Sequence, residues 1–238
     1  MIALTVVEDA EAAARTCAQR VAAAIADARR ARGAAHVALA GGRTPARTYE
    51  LLAGHVDDWH GVHLWFGDER CVPLDDPESN HRLLARTLLA RLPGGAAQPV
   101  VHALQGAGDG DPPAAAAAYE RALRAQLPAN ADGIPQLDFN LLGLGEDGHT
   151  ASLFPDDPAL EERERLCVAV HGSKPPFERV TMTLPMLLAA RAIVVLTAGT
   201  GKAWAVGAML AGASARVPAS LLADGAVELI ADRAAAPA

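Results

Sequence analysis

Residues 137–155 read LDFNLLGLGEDGHTASLFP, in which an apolar run is followed directly by a turn rich in glycine and polar groups. The mainly apolar run at residues 137–142 predicts a buried strand, and the three glycines of residues 143–148 allow a sharp turn that brings the backbone close to a ligand. Asp147 and His149 add a carboxylate and an imidazole after that strand. Because open α/β sheets bind ligands at the carboxyl ends of their strands, this stretch predicts both the fold class and a functional site.

Patterns on both sides of this stretch alternate between strand and helix. Besides 137–142, apolar runs predict strands at residues 1–7, 36–40, 62–67, 100–104, 166–170, 179–183, 192–198 and 227–231. Helical spacing predicts helices at residues 10–32, 45–52, 80–92, 112–127 and 201–210. Strands separated by helix-length segments predict an α/β fold with a Rossmann-like, open, mostly parallel sheet and helices on both faces. We expect residues 1–238 to form a single domain.

Two helix starts and one loop follow from individual residues. Thr44 is predicted to cap the second helix, with Pro45 at the first helical position. Ser79 or Asn80 is predicted to cap the third helix. The glycine- and proline-rich residues 106–113 are predicted to form a loop.

The composition argues against several classes of protein. The formal net charge of −7 disfavours a surface for nucleic acid or anionic membranes, since both need basic patches. The three cysteines have no spacing that suggests a disulfide framework or a zinc site. No apolar run approaches the roughly 20 residues that span a bilayer, and acidic residues at positions 8, 9 and 11 argue against an export signal. We therefore expect a cytoplasmic protein that binds neither nucleic acid nor membrane.

Four loops rich in glycine or charge follow predicted strands. They are GGRT at residues 41–44, DER at 68–70, residues 143–149, and GTGK at 199–202. Because the carboxyl ends of parallel strands share one edge of a sheet, we expect these loops to converge.

Three of these loops contain groups that suit the binding of an anion. In each case a structural explanation that involves no ligand is also open. Residues 41–44 present backbone N–H groups and a hydroxyl at a helix start, although they also suit an ordinary strand-to-helix turn. Lys202, which with Lys174 makes up all the lysine of the chain, opposes the dipole of its helix. This suggests an anionic ligand, with a solvated lysine as the alternative. Arg70 suits a bidentate phosphate contact, or else a surface salt bridge with the acidic residues beside it.

His149 is the candidate general base among the eight histidines. It follows Gly148, and Asp147 is near enough to orient its ring or stabilise its charge. Histidine, with a reference pKa of about 6.5, suits base catalysis at neutral pH, which contributes roughly 10²–10⁴-fold to a rate.

The glycines at positions 143, 145 and 148 formally match a dinucleotide-binding fingerprint. That fingerprint opens a helix directly and is followed about 20 residues later by an acidic residue that ends a strand. Here SLFPDDP at residues 152–158 interrupts any helix, which disfavours a nucleotide-dependent oxidoreductase. The Lys202 loop is not a Walker A motif, because Leu196 and Ala203 stand where Gly and Ser or Thr are required.

Five ordered segments resemble the family of glucosamine-6-phosphate isomerases and 6-phosphogluconolactonases over nearly the whole chain. They are GGRTP at 41–45, DERCVP at 68–73 with Ser79 and Asn80, residues 143–155, the segment from KPP at 174–176 to Thr183, and Lys202. The runs GHTASLFP and KPP resemble the lactonase branch. The deaminase branch typically has Tyr at the position of Arg70 and Asn-Glu-Pro after its Asp-Gly-His.

This resemblance implies hydrolysis of 6-phospho-D-glucono-1,5-lactone to 6-phosphogluconate in the oxidative pentose phosphate pathway, without a metal or organic cofactor. It implies that His149 activates water with the help of Asp147, and that Arg70 and Lys202 hold the phosphate or stabilise developing charge. The substrate-binding positions that it implies are Gly41, Gly42, Arg43, Thr44, Asp68, Ser79, Asn80, Gly148, Lys174, Arg179 and Lys202. The expected partner is a small phosphorylated sugar lactone, bound by a monomer or weak homo-oligomer.

Two other functions fit the same residues. One is a glucosamine-6-phosphate deaminase or isomerase, and the other is a non-catalytic regulator that binds a sugar phosphate. The pair of Asp147 and His149 favours an enzyme, because a sensor has no need of a base. Two positions depart from the family pattern, namely Ala40, where Ser is common, and Leu188, where Asn is expected.

Overall fold

Ten strands and six α-helices are found in residues 2–95, 97–104 and 110–237, which are the residues that the computed structural model describes. The strands are β1 (Ile2–Val7), β2 (Ala35–Leu39), β3 (Val62–Phe66), β4 (Asp68–Arg70), β5 (Val100–Val101), β6 (Phe139–Gly143), β7 (Cys167–His171), β8 (Glu178–Met182), β9 (Ile193–Thr197) and β10 (Val227–Asp232). The helices are α1 (Ala10–Arg32), α2 (Arg43–Leu52), α3 (Asn80–Thr87), α4 (Pro112–Gln126), α5 (Leu184–Leu188) and α6 (Ala203–Ala211). Within these residues, no helix is both long enough and apolar enough to cross a bilayer.

Seven of the strands form one parallel sheet in the order β1-β10-β9-β6-β2-β3-β5. From β2 the chain proceeds outward to β3 and β5, and then returns to the other side of β2 with β6, β9 and β10. The strand order therefore reverses between β2 and β6. A crevice forms where the order reverses in an open α/β sheet, and ligands bind there. The predicted Rossmann-like parallel sheet is confirmed, and its topology points to the loops that follow β2 and β6.

Helices cover both faces of the parallel sheet, as predicted. Successive side chains of a strand point to opposite faces, so Leu64 and Phe66 join one core while Trp65 joins the other. The first core also contains apolar residues of α1, α2 and α3. The second contains those of α4, α5 and α6. The sheet is thus buried between two helical layers, which leaves the ends of its strands for a ligand.

A second sheet is antiparallel and has the order β4-β8-β7. The prediction of a loop at residues 68–70 is wrong, because these residues form β4, in which Asp68 pairs with Thr181 and Arg70 with Arg179. The two β candidates at 166–170 and 179–183 are confirmed to within one residue as β7 and β8. This small sheet fixes two arginines side by side after β3.

The start of α2 differs from the prediction. Thr44 is not the N-cap, because the helix begins at Arg43 and Gly42 precedes it with a φ of 95° and no side-chain cap. Pro45 is consequently the third helical residue. The prediction for α3 is confirmed, since Ser79 is its N-cap and accepts a hydrogen bond from the N–H of Arg82.

Two other elements are shorter than predicted, and one predicted loop is largely untested. Helix α3 ends at Thr87, and a 3₁₀ turn at Leu89–Arg91 continues toward residue 92. Strand β5 has only two residues instead of the predicted 100–104. Most of the predicted loop at 106–113 lies outside the described residues.

Candidate active site

A cleft of about 450 Å³ opens at the carboxyl ends of β2, β6 and β9. Residues from all four of the predicted loops line it, among them Gly41–Thr44, Arg70, His149 and Lys202. A second recess of about 570 Å³ shares Arg70, His149, Arg179 and Lys202 with the cleft, and Asp147 and Lys174 line it as well. The three loops and strand β4 therefore meet at one edge of the parallel sheet, on both sides of the point where the strand order reverses.

The turn after β6 depends on two glycines. The N–H of Gly145 donates to the carbonyl of His149 at 2.8 Å, and the N–H of Gly148 donates to the carbonyl of Gly145 at 3.1 Å. Gly148 has a φ of 84°, in the left-handed region that favours glycine, and a Cβ there would lie 2.8 Å from Val217 Cγ1. A Cβ at Gly145 would lie 2.1 Å from His149 Nδ1. Gly148 thus shapes the turn, and Gly145 leaves room for the imidazole.

His149 and Asp147 form a close pair in this turn. His149 Nδ1 lies 2.5 Å from Asp147 Oδ1, and the N–H of His149 donates to the same oxygen at 3.2 Å. The side chains are 31% and 43% exposed, so the pair is within reach of solvent. With Nδ1 directed to the carboxylate, Nε2 is the ring nitrogen left for a substrate or a water molecule.

The carboxylate of Asp147 is strongly biased toward its ionised form. Partial burial acts to raise its pKa, but the hydrogen bond from His149 and the charge of that ring outweigh burial and lower the pKa to about 2. Asp147 therefore stays an acceptor, which fixes the orientation of the imidazole in the way that a general base requires.

Positive charge gathers where α2 begins. The first N–H groups of a helix lack partners within the helix, and here Gly41, Gly42, Arg43 and Thr44 all line the cleft. Lys202 also lines the cleft, and burial is the main cause of its lowered pKa; the carboxylates of Glu146 and Asp147 oppose this, and the charges of Lys174 and Arg43 lower the pKa further. A helix start and two cations that line the same cleft suit a phosphate group.

Arg70 and Asn80 lie next to each other in the cleft, and Asn80 is also close to Gly41. Arg70 Nη1 donates to the carbonyl of Glu78 and, at 3.2 Å, to Asn80 Oδ1. Asn80 Nδ2 donates to the carbonyl of Asp68 at 2.8 Å, and the Asp68 carboxylate accepts from Ser152 Oγ at 2.6 Å. The surface salt bridge considered for Arg70 is not formed among the described residues.

Ser79, Lys174 and Arg179 were predicted to bind substrate, and the structure gives each a different setting. Ser79 is 2% exposed and makes the helix cap, so it lies behind the residues that line the cleft. Arg179 donates to the carbonyls of Pro176 at 3.1 Å and Lys174 at 3.2 Å, and its guanidinium stacks over Phe154. Burial lowers the pKa of Arg179. Arg179 thus lines the cleft and also ties down the segment that carries Lys174.

Two further residues shape the cleft through contacts that the sequence alone does not predict. Glu69 is 1% exposed and accepts hydrogen bonds from the start of α3. Phe154 lies between His149, at a ring distance of 5.0 Å, and Arg179. Glu69 lies in the DER segment and Phe154 in residues 143–155, but their contacts are with residues that only the tertiary structure brings close.

The two departures from the family pattern have different settings. Ala40 lines the cleft, and its carbonyl accepts from the hydroxyl of Tyr49 at 2.6 Å. Leu188 ends α5 and lines neither recess, so its side chain has no bearing on ligand contacts there.

Comparison with known proteins identifies the family of the chain. Residues 8–231 match the family described as glucosamine-6-phosphate isomerases/6-phosphogluconolactonase. The chain belongs to this family. A 6-phosphogluconolactonase of Streptomyces coelicolor is 43% identical over 88% of this chain and 83% of its own length, and one of Mycobacterium tuberculosis is 42% identical over 88% and 85%.

A solved structure extends the comparison to the fold. The crystal structure of 6-phosphogluconolactonase from Leishmania guyanensis matches 99% of this chain and 97% of that chain, with a TM-score of 0.82 and 32% identity. The family membership and the α/β fold predicted from the sequence are therefore both confirmed.

Proposed function

We propose that the chain hydrolyses 6-phospho-D-glucono-1,5-lactone to 6-phosphogluconate in the oxidative pentose phosphate pathway, with His149 as the general base. The carrying observation is the Asp147–His149 pair in a cleft that has a positively charged helix start on one side. Relatives that match most of the chain bear the name of this activity.

The phosphate of the substrate occupies the start of α2. Backbone N–H groups of residues 42–44 donate to its oxygens, and Arg43 and Lys202 balance its charge. This choice is supported by the lining of the cleft, to which Arg43 and Lys202 both belong together with the residues that begin α2. The lactone ring then extends from this end of the cleft toward His149.

The reaction proceeds by attack of water on the lactone. His149 Nε2 removes a proton from a water molecule, and the water oxygen forms a bond to the carbonyl carbon C1. The carbonyl oxygen becomes negative and is stabilised by the guanidinium of Arg70. As the carbonyl re-forms, the bond between C1 and the ring oxygen breaks, and protonated His149 returns its proton to that oxygen. The carboxylic acid produced then releases one proton to solvent.

Asp147 acts on this step through the imidazole. Because its pKa is held at about 2, it remains an anion throughout the working range of pH. It accepts from Nδ1, keeps Nε2 directed to the water, and stabilises the imidazolium that forms after proton transfer. The ring of Phe154 packs beside the imidazole and limits its motion.

The acid released on mixing pure protein with freshly generated lactone tests this proposal. Wild type should release acid far above the spontaneous rate, and His149→Ala should lose roughly 10²–10⁴-fold. His171→Ala is a matched control, because His171 also pairs through Nδ1 with a carboxylate, Glu178, at 2.8 Å but lies away from the cleft. Equal rates in wild type and His149→Ala would remove His149 from the mechanism.

Glucosamine 6-phosphate, given to the same proteins, separates the alternatives. Ammonia release from it without acid release from the lactone would identify a deaminase. Tight binding of 6-phosphogluconate without turnover of either compound would identify a regulator.

A further inference from the structure

Glu69 is the most completely bonded carboxylate near the cleft. Its Oε1 accepts from the N–H groups of Arg70 and Asn80, both at 2.8 Å. Its Oε2 accepts from the N–H of His81 at 2.9 Å and from Ser79 Oγ at 3.0 Å. The residue is 1% exposed and lines neither recess of the site. Glu69 therefore has no route to a substrate and can act only through the groups that it binds.

These four bonds join β4 to the start of α3. Asn80 and His81 are the first two residues of that helix, and their N–H groups lack partners within it. Ser79 caps the third free N–H, which belongs to Arg82. A carboxylate from a neighbouring strand thus completes the cap, and the positive end of α3 is neutralised from inside the protein.

The joined elements carry two residues of the cleft. Arg70 and Asn80 are held by Glu69 through their backbones and meet through their side chains, with Arg70 Nη1 at 3.2 Å from Asn80 Oδ1. Asn80 is held further by its bond to the carbonyl of Asp68. Arg70 Nε is buried and has no hydrogen-bond partner among the described residues, so the position of the guanidinium depends on these few contacts.

We propose that Glu69 is a positioning residue, whose carboxylate sets the distance between β4 and α3 and thereby aims the Arg70 guanidinium at the reacting carbonyl. The inference rests on the role given above to Arg70. A geometric error of about 1 Å in a group that stabilises the transition state can reduce a rate about 10²-fold. Loss of Glu69 therefore reduces turnover although the residue never touches the substrate.

Glu69→Gln is the informative variant. It keeps the length of the side chain but replaces one acceptor oxygen with an NH₂ group that faces donors. A double-mutant cycle with Arg70→Ala separates positioning from general damage to the fold. In the wild-type background, Glu69→Gln should lower kcat/KM roughly 10- to 100-fold, and in the Arg70→Ala background by less than about threefold. Equal losses in both backgrounds would overturn the inference.

Two controls make the result interpretable. Asp9→Ala removes a helix cap far from the cleft, where Asp9 accepts from the N–H of Ala12 at 2.8 Å. It should lower the melting temperature without lowering kcat/KM, which shows that lost helix capping alone does not explain the effect. A crystal structure of Glu69→Gln should show Arg70 Nη1 and Asn80 Oδ1 beyond hydrogen-bond distance, and an unchanged arrangement would overturn the inference without reference to turnover. Absence of lactone hydrolysis by wild type would instead overturn the proposed function.

Discussion

Asp147 and Glu69 both carry a carboxylate beside the candidate active site, but they have different partners. Asp147 is 43% exposed and binds an imidazole, whose proton can move. Glu69 is 1% exposed and binds three backbone N–H groups and a hydroxyl, whose protons stay where they are. The same functional group thus supports proton transfer at Asp147 and holds neighbouring backbone segments in position at Glu69.

The environments of the two carboxylates also move their pKa values in opposite directions. Burial raises the pKa of Glu69, and its N–H donors offset this only in part. For Asp147, partial burial is outweighed by the bond to His149, and the pKa falls to about 2. The role of a carboxylate near this site therefore depends on whether the protons that it accepts can move. Variants of Asp147 and variants of the Glu69 contacts can test this difference.

Asp147→Asn should lower activity more than Gly41→Ala or Ser79→Ala. The amide keeps the size of the side chain but loses the charge that stabilises imidazolium and can donate toward Nδ1, which disturbs the ring orientation. We expect kcat to fall about 10²-fold while KM changes little, because the loss is felt mainly in the transition state. Steady-state kinetics on the lactone measure this, with Glu178→Gln as control because Glu178 pairs with His171 in the same way outside the cleft. A wild-type kcat for Asp147→Asn would show that Asp147 does not support proton transfer by His149.

Gly41→Ala should have the next largest effect, on the Glu69 side of the cleft. A Cβ at Gly41 would lie 1.9 Å from Asn80 Oδ1, so Asn80 must turn and give up its contact with Arg70. We expect kcat/KM to fall about 10-fold or more. Gly207→Ala is the control, because a Cβ there meets nothing within 4 Å and the residue lies within α6, where Ala favours the helix by roughly 0.5–1 kcal/mol. Equal kinetics of the two variants would contradict the role of Asn80.

Ser79→Ala should affect stability more than activity. It removes a helix cap and one of four donors to Glu69, so the free energy of unfolding should fall by about 1 kcal/mol. Urea unfolding measures the loss, and kcat/KM should stay within about threefold of wild type because the other three donors remain. A KM raised tenfold in a stable variant would instead show that the hydroxyl contacts substrate, as the sequence suggested.

The smallest effect is a difference in the pH dependence of stability. The lowered pKa of Asp147 means that its ionised form stabilises the fold, so its contribution is present above pH 3.8 and is lost as pH falls toward 2. The raised pKa of Glu69 means the reverse, since ionisation costs stability as pH rises through 4.5 and beyond. Unfolding free energies of wild type, Asp147→Asn and Glu69→Gln should therefore diverge in opposite directions with pH. If the plots of unfolding free energy against pH were parallel for the three proteins, the pKa values of the two carboxylates would not be shifted in opposite directions by folding.

Much of the fold was predictable because the parallel sheet leaves a strong pattern. Strands buried on both faces read as short apolar runs, and the helices between them carry apolar residues at helical spacing. The Asp147–His149 turn was predictable for the same reason, since its glycines and polar residues follow such a run. The local sequence pattern was sufficient wherever a residue and the residues that it contacts are close together in the chain.

The rest depended on contacts between distant segments. Strand β4 consists of three charged residues, and its pairing with β8 lies more than 100 residues away, so no local alternation marks it. Thr44 has the chemistry of a cap, but Gly42 takes that place with a φ that only glycine adopts readily. Glu69 looked like a surface partner of Arg70, because nothing in the sequence shows that α3 will cover it.

The pairing of β1 with β10 joins the two ends of the described chain, from Ile2 with Val227 to Val7 with Asp232. Among the described strands, β1 is synthesised first and its partner β10 last, and β1 has no other neighbour in the sheet. Contacts so distant in sequence form slowly, because a long loop must close before they give any stability. Strand β1 therefore has no partner in the sheet until β10 has been translated. The β1 edge of the parallel sheet can therefore form only after the other six strands of that sheet have been made.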